Sequence, residues 1–364
     1  MGRWGGAGQH GLGLLFCLAA LLACSCWAAN MDNFPTALTA HNRVLGMVCS
    51  YNMDHMDSLY LILGEYVSMC EGGWNPKVVL FTTADYTPPA RRVLKYRTWC
   101  HRLNASLDFE FNVHDPSISI NLAAQHRRYM STRVNDFDVF VYHEDDMIVR
   151  YHQLVSFIGE IKKLQTLIPD SALRDNTIGF LRYRRLPSAH GYQARDVIEQ
   201  ELMDEEPAFT HICIANQPYI HVTGNMHQAM WVFTQEHVHV LQEKCNFLNH
   251  SSASREFMSS FGVFDKKPHH CGLNKLLPGL SFHSFFIQHY YQSKFPHWWP
   301  VFKATDNMLA GRHAQQDSGE PGLPDCWKDI AATNRKFQAS PPSPAPTSSP
   351  SPAATTAAAN STVV

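Results

Sequence analysis

From residue 43 onward, short apolar runs alternate with segments whose apolar residues recur at helical spacing. Arg43 to Ser50 (RVLGMVCS), Lys77 to Thr83 (KVVLFTT) and Phe137 to Tyr142 (FDVFVY) are nearly continuous in apolar side chains, the pattern of strands covered on both faces. Leu107 to Val113 (LDFEFNV) alternates and predicts a further strand. Between them, Met56 to Met69 (MDSLYLILGEYVSM) predicts a helix that stops at Gly72-Gly73. Pro88-Pro89 opens another element, with Arg91 to His101 read as helical, and Ala123 to Thr132 predicts a basic helix. Strands and helices in this order argue for βαβ units, an α/β fold with a mixed, Rossmann-type sheet flanked by helices. The second half is less regular. Thr177 to Tyr183 and His211 to Val222 read as strands, whereas Met226 to Leu241 and the aromatic-rich Ser281 to Gln292 read as helices. The first strand leads into Ser50-Tyr51-Asn52 rather than a G-x-G-x-x-G turn, and there is no Walker A loop. A dinucleotide dehydrogenase and a P-loop NTPase are therefore disfavoured.

The ends of the chain read differently. Arg3 precedes an uncharged run from Gly11 to Ala29, which fits either a cleaved signal peptide or a single signal-anchor. Residues 1–30 are assigned to that segment, 31–41 to a short stem, 42–335 to one catalytic domain and 336–364 to a Ser/Thr/Pro/Ala-rich tail that cannot bury a core. Of the 10 cysteines, three lie in the apolar run; an oxidising lumen would pair six of the remaining seven and leave one over. Sequons stand at Asn104, Asn249 and Asn360. Lys+Arg 30 against Asp+Glu 32 gives no electrostatic reason to expect nucleic acid as a partner.

The sharpest chemical signal is Tyr142-His143-Glu144-Asp145-Asp146, three acidic residues directly after a buried strand. In an open α/β sheet the carboxyl ends of the strands are where ligands bind. Clustered carboxylates repel unless a cation or partner neutralises them, and hard oxygen ligands suit Mn²⁺ or Mg²⁺ bridging to phosphates. If the segment stays extended, Glu144 and Asp146 point one way and Asp145 the other. The competing reading is a solvated acidic loop that caps the following helix. The run Asp138 to Asp146 (DVFVYHEDD) resembles the D-x-D-like motif, often E-D-D, of GT-A-fold glycosyltransferases, and the resemblance spans about Arg43 to Tyr291. It implies that Asp146 coordinates the metal on the donor diphosphate, that Glu144 contacts the metal or the ribose, and that Asp145 lies near the donor sugar. A late histidine often completes such a metal site; His283 is the candidate, with His289 six residues on.

Arg127 and Arg128 lie in the segment before this strand, where arginine forks would bind phosphate; their other reading is a solvated helix face. Gly224 and Asn225 form a strand-to-helix turn that allows close backbone approach to a ligand. His269-His270-Cys271 lacks the C-x-x-C pair of a zinc site. The resulting expectation is a hexosyl- or pentosyltransferase acting from a nucleotide-sugar donor on a glycan or glycoprotein acceptor. It would be lodged in the secretory pathway, as a Golgi membrane protein or secreted. The rivals are a secreted sugar-binding module of the same fold with catalysis lost, and a metal-dependent phosphoesterase. An inverting enzyme needs a carboxylate base as well; Glu201, Asp204, Glu205, Glu206 and Asp265 are candidates.

Overall fold

The computed structural model describes residues 43–186, 195–198, 208–223, 228–249, 261–264, 270–290 and 324–327. The N-terminal apolar run, the stem, the Ser/Thr/Pro/Ala tail, Gly224, Asn225 and the five candidate bases lie outside them. Among the described residues, no helix is long and apolar enough to cross a membrane.

The first half builds a central sheet. β1 (Arg43–Ser50) leads through α1 (Met56–Glu71) to β2 (Asn75–Thr82). Then α2 (Pro88–Arg97), the short hairpin β3 (Trp99–Cys100) and β4 (Ala105–Ser106), and β5 (Asp108–Val113) follow. α3 (Gln125–Ser131) precedes β6 (Val139–Glu144), which a tight turn joins to β7 (Met147–Ile148). After α4 (Tyr151–Leu167) and α5 (Asp170–Leu173) come β8 (Asn176–Ile178), β9 (Leu181–Leu186), β10 (Arg195–Ile198), β11 (Ala208–Ile214) and β12 (Gln217–Thr223). β13 (Met230–Thr234), α6 (Gln235–Cys245), α7 (Phe261–Phe264), β14 (Asn274–Pro278) and β15 (Phe286–His289) complete the described elements.

The central sheet runs β13-β6-β1-β2-β5. β5, β2, β1 and β6 are parallel, and β13 closes one edge antiparallel to β6. The architecture is thus a parallel-rich α/β sheet flanked by helices, as the sequence pattern predicts. Alternation along the strands divides the core in two. Val44, Val48, Val78, Leu80, Val139 and Val141 face α1 and α4, packing on Leu59, Ile62, Leu63, Leu154 and Phe157. Leu45, Met47, Val79, Phe81, Phe140 and Tyr142 face α3 and α6, packing on Met130, Val238 and Leu241. Each such buried side chain contributes about 1.5–3 kcal/mol of transfer free energy. Gly46 has a specific reason: a Cβ there would lie 2.3 Å from the Tyr66 ring, whose hydroxyl reaches His143 Nε2 at 3.0 Å.

Two smaller sheets, β10-β9-β15-β7 and β11-β12-β14-β8, cover the second half. Disulfides Cys70–Cys100, Cys213–Cys326 and Cys245–Cys271 leave Cys49 as the free thiol among the described residues. Six of seven cysteines pair, as the count predicts.

Four sequence readings are corrected. Ser281 to Gln292 is not a helix: a 3₁₀ turn at Phe282–Phe285 gives way to β15, where burial alternates with period two. Met226 to Leu241 is not one helix either, because Met-Trp-Val-Phe pairs with β6 as a buried edge strand before α6 begins. Its aromatic and β-branched residues favour the sheet. His211 to Val222 is a hairpin rather than one strand, turning at Ala215-Asn216 with both φ positive (45° and 62°), the geometry of a two-residue hairpin loop. Thr177 to Tyr183 is divided at Gly179-Phe180 between two sheets.

Candidate functional site

β6 delivers the acidic residues to the carboxyl edge of the parallel strands. It extends only to Glu144; Asp145 and Asp146 form the turn into β7. The three carboxylates therefore do not follow the two-residue alternation of an extended segment. Glu144 shares the α3-facing side with Tyr142 and is half-buried, and its N–H donates to Ala229 O at 3.0 Å. Its charge contributes, after burial, to raising the Cys49 thiol well above its ordinary value.

Asp145 turns toward α1 and is 7 % exposed. Its N–H donates to Cys49 O at 3.0 Å, Ser58 Oγ–H donates to its carbonyl, and His55 Nδ1–H donates to its carboxylate at 2.8 Å. Burial raises the pKa of this carboxyl, offset in part by His55 and Ser50, while the hydrogen bond to Asp145 raises that of His55.

Asp146 turns the opposite way, toward the second half of the chain. β7 pairs antiparallel with β15, which sets His289 opposite Met147, and Tyr290 N–H closes onto Asp146 O at 2.8 Å. His289 Nε2 lies 2.9 Å from Asp146 Oδ2. β15 is in turn held by α4, where Gln153 donates to Phe286 O and Arg150 Nη2 donates to Gln288 Oε1 at 3.1 Å. Burial pushes the Asp146 carboxyl up, but the hydrogen bond and charge of His289, with the charges of Arg182 and His55, outweigh it and hold it below its ordinary value. Arg182 lies on β9, paired with Ile287 of β15, and is 6 % exposed. Asp146 Oδ1 is buried and has no hydrogen-bond partner among the described residues.

The other predicted residues separate. Arg127 is 1 % exposed on the inner face of α3, with its guanidinium 5.7 Å from the Phe247 ring centroid. Burial lowers its pKa to about 10 against the influence of Tyr142. Arg128 points outward on the same helix and is exposed. His283 has its backbone in the 3₁₀ turn before β15, and its side chain lies outside what the structure describes. His289, its rival in sequence, meets Asp146. His55 and Arg182 were absent from the sequence candidates. His55 follows a turn-like stretch, Tyr51-Asn52-Met53-Asp54, with nothing local to mark it, and Arg182 sits within an apolar strand reading.

A divalent cation can be tested against these donors. Cations of the Mg²⁺ kind hold oxygen and nitrogen ligands at about 2.1 Å in octahedral array, which sets adjacent ligands roughly 3 Å apart. The Asp146–His289 separation of 2.9 Å matches adjacent ligands, and the second carboxylate oxygen is without a hydrogen bond among the described residues. No set of three or more His, Cys, Asp or Glu side chains converges among the described residues. Two protein ligands, with phosphate oxygens and water supplying the rest, are the ordinary arrangement for a cation that arrives with a phosphorylated substrate. The residues fit that arrangement.

No protein-family model and no curated protein matches the chain. Two solved structures of the glycosyltransferase GlyE from Streptococcus pneumoniae TIGR4, one of them the apo form, align with it at 12 % identity. Their TM-scores are 0.31 and 0.28, with 82 % and 84 % of this chain covered. The chain spans 64 % and 66 % of those proteins' length, a little under two thirds.

Proposed function

We propose that the chain is a metal-dependent glycosyltransferase of the GT-A type, moving a sugar from a nucleotide-sugar donor to a glycan or glycoprotein acceptor. The observation that carries this reading is the Asp146–His289 pair in the turn that ends a central parallel strand, with one Asp146 oxygen buried and without a hydrogen-bond partner among the described residues. A bound Mn²⁺ or Mg²⁺ supplies positive charge to the diphosphate leaving group. Asp146 and His289 would hold that cation, and Glu144, at the end of β6, would serve the metal or the ribose. Arg182 adds fixed positive charge on the β9 side, which favours a polyanionic donor. The tight hold on Asp146 from β15 keeps the ligand aimed before the donor arrives, so little reorganisation accompanies the reaction.

Three disulfides support residence in an oxidising compartment, and with the apolar N-terminal run they favour the secretory lumen, with or without a membrane tether. The test is a panel of nucleotide-sugars assayed for Mn²⁺-dependent transfer or donor hydrolysis. Turnover of one donor that vanishes on chelation is expected. Absence of any turnover, with Mn²⁺ and donor still bound, would instead favour a sugar-binding module that has lost catalysis.

A further inference from the structure

The resemblance places Asp145 beside the donor sugar, but its carboxylate is turned into the protein. Every polar group of this residue is committed: the N–H to the end of β1, the carbonyl to Ser58 in the first turn of α1, the carboxylate to His55. A carboxylate at 7 % exposure is costly unless partnered, and the His55 imidazole is the partner that the β1–α1 loop supplies. The loop is itself shaped toward this contact: Asn52 caps the Asp54 N–H at 2.9 Å, and Ser50 Oγ–H donates to Asn52 O at 2.9 Å.

We propose that His55 and Asp145 form a positioning pair that fixes the aim of Asp146. The proposal rests on the reading of Asp146 as a cation ligand. Asp145 and Asp146 share a peptide unit, so any rotation of one displaces the other. The turn is mounted at two points: Asp146 is tied to β15 through Tyr290 N–H and His289, and Asp145 is tied to the β1–α1 loop through His55. Removing the His55 tie releases the carboxylate end of the second mounting and leaves only the backbone bonds of Asp145 to Cys49 and Ser58, so the turn is held less firmly and the aim of Asp146 loosens. Partners that orient metal ligands in this indirect way typically change metal affinity by about 10–100-fold when lost. His55 is a positioning residue in this scheme, since it acts on Asp146 through its hydrogen bond to Asp145.

The test compares wild type with His55→Ala, His55→Asn and Asp146→Asn by two readouts: amide hydrogen exchange, and Mn²⁺ affinity from titration by electron paramagnetic resonance in the presence of a nucleoside diphosphate. His55→Ala should accelerate exchange at residues 144–148 while leaving β2 unchanged, and should weaken Mn²⁺ on the order of 10-fold. His55→Asn presents a side-chain N–H where Nδ1–H stood and should restore most of both. Asp146→Asn should abolish Mn²⁺ binding without accelerating exchange at Asp145. If His55→Ala does not fold, Asp145→Asn gives the same comparison. Wild-type exchange rates at 144–148 in the unlatched variant would overturn the positioning role, whatever the metal result. A wild type that binds no Mn²⁺ even with the nucleoside diphosphate present, with the exchange effect intact, would sink the cation reading of Asp146 and leave the latch standing.

Discussion

Lys275→Met is a substitution whose consequence follows directly from burial. Lys275 sits within β14, paired with Thr177 of β8 and Val222 of β12, and is 3 % exposed. Its stem runs beneath the bend at Gly179, where a Cβ would lie 2.2 Å from Lys275 Cγ, and that bend passes the chain from β8 to the strand that carries Arg182. Its Nζ lies 4.4 Å from the Phe264 ring centroid. Burial lowers the amine's pKa from 10.5 to about 7. That difference of roughly 3.5 units, at 1.36 kcal/mol each, corresponds to about 5 kcal/mol. The folded value lies below the unfolded one, so between about pH 7 and 10.5 unfolding takes up a proton and stability rises with pH. Below about pH 7 both states are protonated and the full penalty applies. Methionine fills a similar space without a titrating group. The lost cation–π contact is worth about 1 kcal/mol, too little to reverse the sign. The variant should therefore exceed wild type in stability by several kcal/mol at pH 6–7, with the gap closing toward pH 10. Urea denaturation of both proteins across this range measures it, and taking the difference cancels groups that titrate in both. A difference that does not vary with pH would refute the argument, since it would mean that the folded ammonium is solvated or paired.

Asp146→Asn keeps the volume and removes the charge; transfer or donor hydrolysis should fall on the order of 10²-fold or more, with exposed Asp136→Asn as an unaffected control, in Mn²⁺-dependent rate assays. Replacing Cys213 and Cys326 by Ser opens a cross-link spanning 113 residues, for which the loop-entropy estimate is about 4–5 kcal/mol, read as a lowered urea midpoint. Ending the chain before Ser340 should move Tm by less than ~2 °C. Ending it before Pro324 also removes Trp327, which is 1 % exposed with Nε1–H donating to Ile212 O at 3.0 Å, and should be strongly destabilising. Asn104 stands exposed in the β3–β4 turn at φ 50°, so in a eukaryotic secretory host an endoglycosidase mobility shift should be lost or reduced in Asn104→Gln.

The first half of the fold was legible because its signals are local. β1 matches its predicted bounds, Arg43–Ser50, and α1 runs from Met56 to the Gly72-Gly73 stop. A strand buried on both faces reads as a continuous apolar run, and a helix between two such strands needs only a repeating stripe. The second half consists of short strands whose partners lie far along the chain. β15 pairs with β7 and β9, more than a hundred residues earlier, so nothing within Phe286–His289 distinguishes it from a helical turn of similar composition. The mistaken helix over Ser281 to Gln292 and the helical reading of Met230 to Thr234 have this same cause: aromatic side chains satisfy either period until a partner strand decides the matter.

The candidate site divides along the same line. Glu144, Asp145 and Asp146 were readable because a buried strand leads straight into them. Their individual directions were not, because the strand stops at Glu144 and the turn sends Asp145 to α1 and Asp146 to β15. The period-two expectation assigned facing sides from an extended backbone that does not persist. Once the segment is a strand, register sets His289 opposite Met147, one residue beyond Asp146, whereas the backbone of His283 precedes the strand. The same reasoning accounts for Arg182, whose charge reaches Asp146 only because β9 lies parallel to β15. What a sequence of this kind exposes is the element that presents the chemistry. The residues that aim it come from other sheets, through pairings whose separation in the chain erases any local trace.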